Sequence, residues 1–273
     1  MIQEQFGLDP EFECFIDKYL RDARLVDARE KRAFIEDREP AETMIGRKHW
    51  HSYRVKAYAE EIARSEGLSG EDFELASLCG LLHDVGRFPQ ANFKRSFNDT
   101  ETAFDHGDEG AGMLESGLAD KFITLDMPTD AKEILVAAAR NHNKHKIEDG
   151  LSERALSFVK ITRDADKLDI LNTQGKRIVE KDLPLREVYL ESLEKGKSVQ
   201  DGDGFNAAEC VLRCLGFLYD LNYPRTYQIV SERKIVDKKI GLLIEKTSDK
   251  ETVERLKKIR SKLVRRISAK MRA

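Results

Sequence analysis

The 273-residue chain holds six histidines, and all of them fall between positions 49 and 145. The informative ones stand where apolar residues belong. His51 heads a helical stripe continued by Val55, Tyr58 and Ile62, at offsets of four, seven and eleven. His83 and Asp84 follow Leu75, Leu78, Cys79, Leu81 and Leu82, so an imidazole and a carboxylate emerge together from an apolar segment. Such a pair is expensive to bury unless its charge is neutralised. His106 shares a face with Gly110, Met113 and Gly117, glycines that would let a neighbouring backbone approach closely. His142 ends the stripe Ala131, Leu135, Ala138, and Asp166 shares its face with Ala155, Val159, Thr162 and Ile170. A single inward histidine is ordinarily a hydrogen-bonded core residue. Several helices that each aim an imidazole or carboxylate inward need a shared counter-charge, and a divalent metal supplies one.

Mixed imidazole and carboxylate donors suit Mn, Fe, Co, Ni or Zn, with Mg a further candidate. Adjacent residues on a regular helix point about 100° apart, so His83 and Asp84 can both ligate only near a helix end, which Gly86 provides. His51, His83, Asp84 and Asp166 would hold one ion. His106 and His142 would hold a second, with Asp84 bridging through its two oxygens. The expected cofactor is therefore a pair of divalent transition metal ions.

In this order the residues resemble the HD-domain superfamily of metal-dependent phosphohydrolases, in its two-metal form. The contexts His51-Ser52-Tyr53-Arg54-Val55, His83-Asp84-Val85-Gly86-Arg87-Phe88, Asp105-His106-Gly107-Asp108-Glu109-Gly110 and Asp164-Ala165-Asp166-Lys167-Leu168-Asp169 are similar to that superfamily's. The likeness covers about residues 45 to 172. It implies hydrolysis of a phosphate ester or anhydride of a nucleotide or other small phosphorylated molecule, with Asp84 at the centre of the chemistry. A metal pair would turn a bridging water toward hydroxide near neutral pH and offset charge on the phosphate. Arg54, three residues after His51, and Arg87, just beyond the His-Asp pair, could each hold a phosphate bidentately, and each suits an ordinary structural role equally well. His145, three residues after His142, could protonate a leaving group; the polar run Asn143-Lys144-His145-Lys146 favours a solvated histidine instead. Asp169 could orient a ligand or lie on a helix surface. A diiron oxygenase similar to myo-inositol oxygenase uses the same donor order, and a nucleotide-binding sensor without catalysis is a third reading. The complete donor set and the flanking arginines favour the hydrolase.

Positioning these side chains falls to helices. The apolar period predicts them at about 10–26, 51–65, 71–84, 107–116, 130–141, 152–171, 185–194, 206–221, 234–245 and from about 249 onward. The polar stretch 88–105 reads as a loop or lid, and 228–230 is the one strand-like fragment. The expected fold is all-α, an HD-domain-like helical bundle with additional C-terminal helices. Its expected parts are an N-terminal helical segment (1–44), a metal-binding core (45–172) and a C-terminal extension packed on that core (173–273).

Composition agrees with a helical chain. Charged residues make up 36% of it, against roughly 25% for an average soluble domain. That balance disfavours collagen-like, Pro/Gly-rich disordered and many-turned all-β chains. No run approaches the ~18 apolar residues of a membrane span, and the first residues have neither the basic cluster nor the apolar stretch of a secretory signal. A cytoplasmic protein without a membrane partner is expected. Cys14, Cys79, Cys210 and Cys214 form no disulfide framework and read as buried free thiols. The net charge of -3 conceals a division: from Glu232 onward there are 15 Lys/Arg against 6 Asp/Glu, leaving about -12 on the rest. No aromatic residue interleaves those basic ones, so a nucleic-acid partner is not expected.

Overall fold

The computed structural model describes residues 7–32, 39–174, 180–199 and 206–272. Every regular element among them is helical, so the fold is all-α as the periodicity predicts. No helix among the described residues is long and apolar enough to cross a membrane. The chain divides into two compact units, Met1–Arg163 and Asp164–Ala273.

The first unit contains α1 (Pro10–Arg32), α2 (Ala41–Ser65), α3 (Gly70–Leu82), α4 (Arg87–Lys94), α5 (Asp99–Thr102), α6 (His106–Met113), α7 (Ala131–Asn141) and the start of α8 (Glu153–Thr173). Helix α2 is its axis and packs against α1, α3 and α4. The stripe begun by His51 faces inward as predicted: Val55 and Ile62 are fully buried. It extends back through Met44 and Ile45, which is why α2 starts ten residues before His51 rather than at it. Tyr53 ties α1 to this axis, its hydroxyl donating to Glu13 at 2.7 Å and accepting from the Asp9 amide at 2.9 Å.

The stretch 88–105 is not a simple loop. It carries α4 and the single turn α5, because Phe88 and Ala91 bury themselves against the bundle. Pro89 sits in the first turn of α4, where a missing amide hydrogen costs no helical bond. After α6 the chain widens into a π turn at Leu114–Leu118, where Gly117 adopts a φ of 114° that other residues avoid.

The second unit continues α8 from Asp164 and adds α9 (Glu187–Lys195), α10 (Ala207–Gly216), α11 (Pro224–Glu232), α12 (Ile235–Lys246) and α13 (Lys250–Lys270). The strand-like Gln228–Val230 lies inside α11; Pro224 opens that helix, and Tyr227, Ile229 and Val230 are buried by it. Helix α10 starts with a capping box, Asn206 accepting from the Glu209 amide at 3.0 Å while Glu209 accepts from the Asn206 amide at 3.2 Å. Asp164 is fully buried and accepts from the Asn222 and Tyr223 amides and the Thr226 hydroxyl, which fixes the entry to α11. Cys14 is exposed, unlike Cys79 and Cys214; it lies on the outer face of α1, whose period turns Phe12 and Ile16 inward.

Candidate metal centre

Four helix ends or faces of the first unit bring five predicted donors together. His51 comes from the middle of α2. Helix α3 stops at Leu82, so His83 and Asp84 lie in the turn that follows and escape the angular spacing of a regular helix. His106 is the first residue of α6, whose N-cap Asp105 accepts from the Gly107 and Asp108 amides. His142 caps the C-terminus of α7. All five are buried, with Asp84 and His83 only 1% exposed.

Close backbone contacts set the spacing. A Cβ on Gly80 would meet Ala59 Cβ and Lys56 Cα at 2.9 Å, so only glycine lets α3 approach α2 closely enough to bring His83 to His51. A Cβ on Gly86 would meet the His106 carbonyl oxygen at 2.2 Å, and this contact seats the Asp84 turn against α6. The sequence pattern assigned such an approach to Gly110, and the structure agrees: a Cβ on Gly110 would meet the Gly86 backbone nitrogen at 3.2 Å.

Asp84 is the hub, and its two oxygens face different pairs of histidines. Oδ2 lies 3.4 Å from His51 Nε2 and 3.6 Å from His83 Nε2. Oδ1 lies 3.4 Å from His106 Nε2 and 3.5 Å from His142 Nε2. Within the pairs the Nε2 atoms stand 3.3 Å apart for His51 and His83, and 3.0 Å apart for His106 and His142.

The opposite ring nitrogens assign the protons. His83 Nδ1 faces the Gly80 carbonyl at 2.8 Å, His142 Nδ1 faces the Ala139 carbonyl at 2.7 Å, and His106 Nδ1 faces Asp99 Oδ2 at 2.5 Å. Each partner is an acceptor, so in the neutral ring Nδ1 carries the hydrogen and Nε2 presents a lone pair to the centre. Burial, together with the charge of Arg87, pushes His106 down to about 4, so its ring is neutral at physiological pH. Asp84 resists burial: the Lys48 ammonium and the facing imidazoles outweigh desolvation and hold its carboxyl well below the usual range. The His106 half thus gathers two ring lone pairs round Asp84 Oδ1, a buried oxygen that no described donor reaches in hydrogen-bond geometry. Mutually repelling lone pairs in a dry site are stable round a cation, and borderline nitrogen and hard oxygen donors suit a divalent transition metal. His51, His83 and Asp84 form one donor group able to hold a metal, and Asp84, His106 and His142 form another.

The other predicted residues lie as follows. Arg87 is mostly buried; its Nη1 donates to Gln90, the Phe97 carbonyl and Asp99, while Nε lies 3.7 Å from Asp84 Oδ1 and has no hydrogen-bond partner. Arg54 is half-buried one turn beyond His51 on α2. His145 is exposed in the turn after α7, because the helix ends before the three-residue spacing from His142 can act. Asp166 is half-buried on α8 in the second unit, and Asp169 there is buried rather than at a surface. His49 binds Glu13 at 2.7 Å, away from the cluster.

Two participants escape a reading of the sequence. Lys48 donates to Asp84 Oδ2 at 2.6 Å, and its signal is its place one turn before His51, visible only when α2 is extended back to Ala41. Asp99 orients His106 from the single turn α5, too short for a periodicity to mark it. The Asp99 carboxyl is itself held below its usual range, the His106 contact and the Arg87 charge outweighing its burial.

No curated protein matches the chain. The family model of the HD domain matches residues 50–171, a span that includes all five gathered donors and Asp166. A buried cluster able to bind metal ions, in an all-α frame and within the matched span, agrees with that assignment: across residues 50–171 this chain carries an HD domain.

Proposed function

We propose that the protein is a metal-dependent phosphohydrolase that cleaves a phosphate ester or anhydride of a nucleotide or another small phosphorylated molecule. HD domains are mostly metal-dependent hydrolases, which supports the reaction class. The observation that carries the proposal is the division of Asp84, each oxygen turned to its own pair of Nε2 atoms. This arrangement suits two divalent ions sharing one carboxylate, and such ions supply an activated water and offset phosphate charge when bound.

The chain's own groups then have definite tasks. Asp84 stays ionised across the neutral range, and Asp99 and the Gly80 and Ala139 carbonyls keep three rings turned with Nε2 inward. Arg87 Nε is a buried donor without an acceptor beside Asp84, fit to meet a phosphate oxygen. In the same reading Asp166 joins His51 and His83 as a donor, on its place in the sequence order and in the matched span. Arg54 is a second phosphate contact, and His145 donates a proton to the leaving group.

The test is a screen of purified protein loaded with Mn²⁺ or Fe²⁺ against p-nitrophenyl phosphate, cyclic nucleotides, dinucleoside polyphosphates and nucleoside mono- and triphosphates. Release of phosphate or nucleotide that disappears in Asp84→Ala is the expected result. No release from any of them, with oxygen consumption by the iron form, would replace the hydrolase by an oxygenase. Alanine variants at Asp166, Arg54, Arg87 and His145 separate metal retention from kcat and KM.

A further inference from the structure

Three cations converge on one aromatic ring beside the centre. Phe97, half-buried between α4 and α5, has the Arg47 guanidinium 5.5 Å from its ring centroid, the Lys48 ammonium at 5.7 Å and the Arg87 guanidinium at 5.4 Å. Such a ring attracts positive charge to its face, and Arg87 Nη1 ties down its backbone by donating to the Phe97 carbonyl at 2.8 Å. The cations stand at different depths. The side chains of Arg87 and Lys48 are 13% and 20% exposed, and that of Arg47 is 53% exposed. The two inner ones flank Asp84, with Arg87 Nε 3.7 Å from Oδ1 and Lys48 Nζ 2.6 Å from Oδ2.

Each cation has a carboxylate partner, and each keeps donors to spare. Lys48 gives one of its three ammonium hydrogens to Asp84 and meets no other acceptor among the described residues. Arg47 gives only Nη1 to Glu39, at 2.9 Å, in an exposed pair of the kind that contributes little and exchanges readily. Arg87 gives Nη1 to Gln90, Phe97 and Asp99, while its Nε is buried without an acceptor.

We infer that Lys48 and Arg47 hold a second phosphate of the substrate, so that the site selects compounds carrying a diphosphate or a longer phosphate chain. The inference rests on the phosphohydrolase reading and names the substrate class within it. Cations graded from buried to exposed round one ring suit successive anions better than a single tetrahedral one. Arg87 Nε meets the innermost phosphate beside Asp84, and a chain running outward past Phe97 meets Lys48 and then Arg47. A monophosphate can use the first of these and leaves the outer two idle. Lys48 and Arg47 are therefore specificity residues, and neither belongs to the donor groups that could hold a metal.

The experiment is calorimetric titration of methylphosphonate and of methylenediphosphonate into the full-length protein loaded with Mn²⁺, with MnCl₂ matched in cell and syringe. Neither probe is hydrolysed, so binding is read apart from turnover. The wild type is expected to bind the diphosphonate more tightly, and the ratio of the two affinities is the readout, because a general weakening of the centre lowers both. Lys48→Met should reduce that ratio by about tenfold or more, the worth of one hydrogen bond to a charged group, and the exposed Arg47→Met by a smaller factor. Thermal melts and manganese analysis establish that each variant is folded and loaded, and Lys48→Gln replaces Lys48→Met if that one is not. Equal affinities in the wild type, or an unchanged ratio in both folded and loaded variants, would overturn the inference while leaving the phosphohydrolase reading intact. A loaded wild type that binds neither probe fails that reading itself, and the inference falls with it.

Discussion

Asp99 supports His106 from behind, its Oδ2 2.5 Å from Nδ1, the ring nitrogen opposite the one that faces Asp84. The same carboxylate accepts from Arg87 at 2.7 Å and from Gln90 at 2.9 Å. One side chain of the 95–105 segment thus fixes a candidate ligand and the nearest guanidinium together. Asp99→Ala is expected to weaken metal binding by about 10–100-fold, the range for losing such an orienting partner. Asp99→Asn, whose amide oxygen can still accept from Nδ1, should lose less. Titration with Mn²⁺ checks both, and equal affinity in wild type and Asp99→Ala would remove Asp99 from the centre.

Gly86 gives a steric test of the same assembly. A methyl group there collides with the His106 carbonyl, 2.2 Å away, so either the Asp84 turn or α6 must move. Gly86→Ala is expected to lower stability by about 1–3 kcal/mol, the usual cost of overpacking, and to reduce bound metal. Gly112→Ala is the control: it lies in the same α6 with nothing within 4 Å of the added carbon, and should be neutral or stabilising by up to about 1 kcal/mol. Urea denaturation and metal analysis compare the two.

The inward stripes of α2, α3 and α7 were legible because burial imposes a helical period on apolar residues, and a His or Asp breaking that period is conspicuous. His51, His83, Asp84, His106 and His142 could be found that way. Lys48 could not, since a lysine at the edge of a helix ordinarily points to water and only the fold brings it to Asp84. Asp99 belongs to a segment shaped by Arg87, Gln90 and Phe88 rather than by its own pattern. The polar stretch 88–105 and the β-branched pair Ile229-Val230 misled for a related reason: propensity is a weak prior that tertiary burial overrides.

Arg154 joins helices through charge in the first unit, donating to both oxygens of Asp72 at 2.7 and 3.0 Å and to Asp130 at 3.0 Å. Arg154 holds the Asp72 carboxyl below its ordinary value of 3.8. A depressed carboxylate stabilises the fold above its unfolded pKa and loses that contribution as pH falls through the folded one. Arg154→Met should therefore cost about 0.5–1 kcal/mol at neutral pH, discounted for partial exposure. The difference from wild type should shrink as pH falls below about 4, the ordinary range of aspartate. Denaturation curves at neutral and strongly acid pH measure it, and a difference independent of pH would show that the lost contribution is packing on Phe158.

Cys210 and Cys214 stand one turn apart on α10. The Cys214 thiol bonds to Cys210, and with the charges of Arg213 and Lys239 it outweighs burial and brings Cys210 down to about 6, while Cys214 is pushed up. Iodoacetamide should alkylate Cys210 half-maximally near that pH, read by mass spectrometry. Cys214→Ala is expected to move the midpoint upward toward the ordinary cysteine value of 9.0; an unmoved midpoint would assign the shift to the basic neighbours.

The position of Asp84 in a turn, outside any helix, has a mechanical consequence. Its two oxygens are joined by a single carbon, so the distance between them is fixed by bond lengths and angles rather than by helix packing. Thermal breathing of α2, α6 or α7 can move one pair of imidazoles, yet it cannot stretch the span between the two oxygens that the pairs face. The bundle sets how near each pair of rings comes, and a covalent ruler sets how far apart their two oxygens are.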